Sequence, residues 1–244
     1  MHLVDHIFMF ILFVVHPIHG AYAYRKVVQA IAAGAPSDRV KLYRETFAHE
    51  WIAFAVVAVA WYLLGRPAAA LGFVASSGMQ VGAGLGALAL FSIYLLYLWQ
   101  AARQFDDDQR RKETEAFGTL VHFMPQNRRD YHYFVGVSVT AGIVEEFLYR
   151  GFAFWYLGQF LPLWAVVLVS SIGFGLAHSY QGASGVVRVT LIGLAFGVFY
   201  ALTGSIWLAM LAHAVLDILQ GAYILEVLGP KRQYPHPTAP AGRQ

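Results

Sequence analysis

A chain of 244 residues that is 58% hydrophobic and only 13% charged, with a mean hydropathy of +0.53, lies outside the balance of a soluble globular domain. The absence of cysteine excludes a disulfide framework, a thiolate metal site and a cysteine nucleophile. The formal net charge of +3 does not point to nucleic acid, because the basic residues cluster between apolar stretches and are interleaved with acids.

The apolar stretches run to roughly 17 to 25 residues, the length of a helix that crosses the hydrocarbon core. Spans are predicted over 3–23, 48–65, 81–101, 133–155, 162–178, 187–203 and 205–227. The expected fold is therefore all-α, a polytopic transmembrane helix bundle of about seven spans. No Lys or Arg precedes the first apolar run, so a removable signal peptide is not expected. Within that first span Asp5, His6, His16 and His19 lie near the ends and read as interfacial or interhelical hydrogen-bonding groups. The segment from Pro67 to Gln80 is open between a re-entrant or interfacial helix and an eighth span interrupted by Gly82, Gly84 and Gly86.

Arg25, Lys26, Arg39, Lys41 and Arg44 follow the first span, and Arg103, Arg110, Arg111, Lys112, Arg128 and Arg129 follow the third. With seven spans, Arg188, Lys231, Arg232 and Arg243 fall on that same side, leaving Arg66 opposite and Arg150 inside. The positive-inside rule then puts the N-terminus outside and the C-terminus in the cytoplasm, in a plasma or inner membrane. The loop from Arg103 to Asp130 sets Asp106, Asp107 and Asp108 beside Arg110, Arg111 and Lys112, a mixture expected of a solvated helix or linker.

The fourth predicted span carries Glu145, Glu146 and Arg150 in a segment otherwise apolar enough to sit in lipid, where charge is expensive. On a helix Glu146 and Arg150 share a face and can pair. Glu145 lies about 100° around the helix, without that partner. Glu146 is thus expected to orient and neutralise, and Glu145 to exchange a proton near neutral pH. A buried ion pair that only fixes helix packing is the simpler alternative. His178 closes the fifth span, and His213 and Asp217 stand one turn apart in the seventh. Each His alone reads equally well as an interhelical hydrogen-bonding group. Together these residues suffice for a water-activating site: one carboxylate deprotonates water, one His holds it, and the other His donates to the oxyanion of an attacked carbonyl.

Glu145-Glu146-x-x-x-Arg150, Phe174-x-x-x-His178 and His213-x-x-x-Asp217, with the connecting run Gly193 to Trp207, resemble the CPBP family of CAAX-prenyl endopeptidases and bacteriocin-processing or immunity (Abi) proteins. The resemblance runs from near Tyr133 to Leu228. The N-terminal transmembrane region over 1–132 shows no matching motif, and the tail over 229–244, with Pro230, Pro235, Pro237 and Pro240, is expected to be disordered by its composition. The resemblance implies a CAAX-protease-like fold with a catalytic core over 133–228. It also implies an intramembrane endopeptidase acting on a membrane-associated peptide or protein, surrounded by membrane lipid and without a nucleic-acid partner. By that resemblance Glu145 is the general base assisted by His178, His213 and Asp217 stabilise the oxyanion, and Glu146 and Arg150 support them. Asp217 stands where eukaryotic relatives commonly have Asn; an ionised Asp only accepts hydrogen bonds, so orienting His213 is its expected part.

No cofactor is expected. The alternative is a metalloprotease in which Glu145, His178 and His213 ligate zinc, but no His-Glu-x-x-His helix is present. A bacterial member would process a membrane peptide or bacteriocin precursor; prenylated CAAX substrates belong to eukaryotic relatives. Two other classes are a non-catalytic immunity or scaffold protein and a proton-coupled transporter, the latter lacking the repeated broken helices it should show.

Overall fold

The computed structural model describes residues 1–230, and those residues are helical with no strand. The expected disordered tail lies, beyond Gly229 and Pro230, outside the described residues.

The predicted spans appear as helices, most of them longer than their apolar stretches: three start on the side-chain caps Asp38, Ser77 and Asn127, which precede the stretch, and the first runs on beyond it to Ala32. α1 covers Leu3–Ala32 and passes through a π turn at Ile11–Val15. α2, Arg39–Leu63, begins where the Asp38 carboxylate accepts from the Lys41 amide at 3.0 Å. α3, Gly78–Ala102, begins on a capping box of Ser77 and Gln80. α4, Asp107–Phe117, is capped by Asp106, and α5 starts at Arg128 under the Asn127 cap. α5 continues to residue 157 through a π turn at Phe147–Ala153. α6 is Leu163–Ala177, α7 Gly182–Thr203 and α8 Ile206–Leu228. Of these, α1, α2, α3, α8 and the stretch Ser179–Thr203 are long and apolar enough to cross a membrane. α5, with its internal charges, and the short α6 complete seven rods.

Residues 67–77 form neither an eighth span nor a re-entrant helix. They hold one 3-10 turn, Ala68–Leu71, closed by Gly72 at φ +85°. A Cβ on Gly72 would fall 2.1 Å from the Tyr200 hydroxyl, so this position needs glycine for both its backbone angle and its space. The apolar run that suggested more membrane there is short, and Leu71 is buried against protein.

α5 is the centre of the bundle, packed on α8 along one side and α2 along another, while α6 and α7 pair beside them. The crossing of α5 and α8 is close because Gly142 has no side chain: a Cβ there would stand 2.8 Å from the Met210 carbonyl oxygen and 2.8 Å from the Ala214 amide nitrogen. Both are backbone atoms and cannot move aside independently of α8. Gly142→Val is expected to lower stability by about 1–3 kcal/mol, measured as earlier unfolding of the detergent-solubilised protein. Unchanged unfolding would mean that the two helices do not meet there.

At the far end of the bundle from α4, Arg66 grips Asp5 through two hydrogen bonds of 2.7 Å, its guanidinium lying 5.1 Å from the Trp61 ring centroid and 4.6 Å from that of Trp155. His6 Nδ1 meets the Tyr156 hydroxyl at 2.6 Å. These polar groups of the first span thus serve contacts between helices. α4 is docked rather than free. Arg110 donates to the carbonyls of Glu226 and Val227 near the C-terminal end of α8, where the helix dipole favours a cation, and the Tyr223 hydroxyl donates to Glu113 at 3.0 Å.

Candidate active site

The polar groups singled out by the sequence converge between α5, α6, α7 and α8. Glu146 ends the regular part of α5 and is fully buried. Its Oε1 accepts from Arg150 Nη1 at 3.1 Å and from His213 Nδ1 at 2.8 Å. Arg150 sits inside the π turn that follows, donates through Nη2 to the Gly193 carbonyl at 2.9 Å, and places its guanidinium 4.7 Å from the Phe174 ring centroid and 5.7 Å from that of Phe196. One buried guanidinium therefore ties α5 to α6 and α7 through a carboxylate, a carbonyl and two ring faces. π turns of this kind recur at functional sites.

His213 projects from α8 into this arrangement. The imidazole is held on Nδ1 by Glu146, stacks at 5.0 Å on Phe196, and turns Nε2 toward Asp217 at 3.6 Å and Glu145 at 3.8 Å. Glu146 therefore makes the hydrogen bond that fixes the ring, and Asp217 lies on the opposite nitrogen, beyond hydrogen-bond length. The Glu145 and Asp217 side chains are 19% and 34% exposed, against 0% for Glu146, so the first two open outward while the third is sealed.

His178 stands just past the end of α6, where the chain leaves the helix for the 3-10 turn Ser179–Gln181 and re-enters helix after Gly182 at φ +80°. Its Nδ1–H donates to the Phe174 carbonyl at 2.9 Å, which leaves Nε2 as the nitrogen available to a bound molecule. The same turn is anchored to α1 by the Ser179 hydroxyl, which donates to the Pro17 carbonyl at 3.1 Å.

Glu50, on α2, was not singled out from sequence, yet it lies within electrostatic reach of Glu145, His213 and Asp217. The signal that could have found it is the one that found Glu145, an unpaired carboxylate in an apolar span. Glu50 lies two residues inside the predicted start of the second span, 48–65.

For the zinc alternative on Glu145, His178 and His213, the Glu146 bond to Nδ1 leaves His213 Nε2, 3.8 Å from Glu145, as the nitrogen that would ligate. Among the described residues no three or more His, Asp or Glu side chains are already gathered as a metal site.

Residues 128–219 match the family model described as Type II CAAX prenyl endopeptidase Rce1-like. The segment is Rce1-like. It contains Glu145, Glu146, Arg150, His178, His213 and Asp217 and bears out the CPBP resemblance read from their spacing. With its long apolar helices the chain is a multi-pass membrane protein, and its segment 128–219 is similar to the CAAX-type intramembrane proteases that the family model describes. No curated protein and no solved structure matches it.

Proposed function

We propose that this Rce1-like protein hydrolyses a peptide bond in a membrane-associated peptide or protein by means of water activated at Glu145. The observation that carries this reading is the division of labour between adjacent carboxylates. Glu146 is taken up by Arg150 and His213, whereas Glu145 faces His213 Nε2 and an opening.

In this scheme His178 Nε2 holds the water and Glu145 removes one of its protons as the oxygen attacks the carbonyl carbon. A proton on His213 Nε2 is shared with the oxyanion of the tetrahedral intermediate. Collapse breaks the C–N bond, Glu145 returns the proton to the departing amine, and the products are a free carboxyl group and a free amine. Glu146 and Arg150 act through His213, by holding its ring. Asp217, 3.6 Å from Nε2, tunes the charge on that nitrogen.

An apolar groove of about 510 Å³ lies beside the turn that carries His178, although none of the proposed catalytic side chains lines it. It runs along α1 past Phe13, Pro17 and Ile18 to Arg25, and reaches Leu176 and Ser179 on either side of His178. The reading places the N-terminus outside, the C-terminus in the cytoplasm and the core over 133–228, and it requires no metal.

The test is cleavage of a library of quenched fluorogenic membrane peptides by the purified protein, with and without a chelator. Cleavage that survives chelation is the expected result. Cleavage lost to chelator and restored by zinc would replace the carboxylate mechanism with a metal-based one. No cleavage by the folded protein would favour a non-catalytic role.

A further inference from the structure

Glu50 belongs to the inner stripe of α2 with Phe54, Val57 and Trp61, spaced as one helical face. Its neighbours fix the register of α2 against α5: the Trp51 indole N–H donates to the Thr140 hydroxyl at 3.2 Å, and the Phe54 ring lies 4.5 Å from that of Phe147, one residue past Glu146. Glu50 is thereby held at the site by packing on both sides of it in sequence. Its Oε2 is closed off from solvent and has no hydrogen-bond partner among the described residues. The groups that face it are Glu145 from α5, His213 and Asp217 from α8, and Tyr180 from the turn after α6.

Arg150, the guanidinium of this site, is already committed to Glu146, so Glu50, Glu145 and Asp217 are three carboxyl groups around one imidazole. Three charged carboxylates around one imidazole would repel one another, and the enclosed Oε2 of Glu50 has neither a partner among the described residues nor solvent to offset that. A carboxyl group that carries a hydrogen there avoids that cost and becomes a donor.

We propose that Glu50 is a positioning residue of this site, a carboxylic acid whose O–H orients the Glu145 carboxylate toward the attacking water. α2 lies outside the Rce1-like segment, so this residue would make the N-terminal region part of the catalytic apparatus. The inference rests on the hydrolytic reading above.

Two measurements test it separately from that reading. The infrared difference spectrum of wild type minus Glu50→Gln, taken at neutral pH in H₂O and D₂O, is expected to contain a carboxylic-acid carbonyl band that shifts on deuteration. A difference containing only carboxylate bands would overturn the proposal, whether or not any substrate is cleaved. In the kinetic arm, Glu50→Gln, which still donates, is expected to keep most of the wild-type kcat. Glu50→Ala is expected to lose about 100-fold in kcat with KM unchanged, the cost of a misplaced reacting group. Equal kcat in Glu50→Ala and wild type would overturn the proposal. Absence of cleavage by wild type would instead count against the hydrolytic reading, leaving the infrared result to decide Glu50. If Glu50→Ala does not fold, the spectrum decides, and a large loss of kcat in a folded Glu50→Gln would overturn the proposal.

Discussion

Glu145→Gln is expected to abolish peptide hydrolysis, lowering kcat by about 10³-fold or more, within the range for loss of a positioned general base. The substitution keeps size and shape and removes only the capacity to take a proton from water. It should leave the fold intact, because the bonds that hold α5 to its neighbours run through Glu146 and Arg150, and Glu145 meets His213 only at 3.8 Å. The measurement is single-turnover cleavage of a peptide that wild type accepts, alongside thermal unfolding of both proteins. Full activity in a folded Glu145→Gln protein would exclude Glu145 as the base.

Arg150→Ala is expected to destabilise the protein by about 3–5 kcal/mol, the usual cost of removing one partner of a buried ion pair. The arginine is 1% exposed and its partner Glu146 is fully buried. Its loss strands a carboxylate in the bundle, frees the Gly193 carbonyl and leaves a void between Phe174 and Phe196. The double substitution Glu146→Gln with Arg150→Met should recover much of the loss, since neither buried charge then remains. Both are read from unfolding in denaturant at fixed detergent concentration. If Arg150→Ala alone unfolds like wild type, the pair is not what holds α5 to α6 and α7.

The site residues were legible because charge is rare in apolar spans. Glu145, Glu146, Arg150, His178, His213 and Asp217 stood out against their surroundings, and the structure brings them together. The particular bonds did not follow from spacing. Glu146 and Asp217 are both near His213, and only the depth of Glu146 in the bundle decides that it takes Nδ1. Glu50 escaped because it lies in the N-terminal region, where no motif surrounds it and only its charge marks it. The π turn escaped because Phe147–Ala153 has the composition of ordinary buried helix. The rods themselves were plain from apolar length, but the ends were not: α1 continues to Ala32 and α2 begins at Arg39, where polar helix extends past the apolar stretch. α4 was recognisable as mixed-charge helix, whereas its attachment to α8 through Arg110 depended on tertiary placement.

α6 has 15 residues, a rise of about 22 Å, against a hydrocarbon layer of about 30 Å. A rod that short cannot match the layer around it. Lipid tails beside it must compress, or the helix must sink so that the turn at His178 lies below the headgroups with its backbone covered by protein. Wherever the turn at His178 lies within the apolar layer, its polar backbone needs protein or water around it, which is also the setting that a peptide bond and an attacking water require.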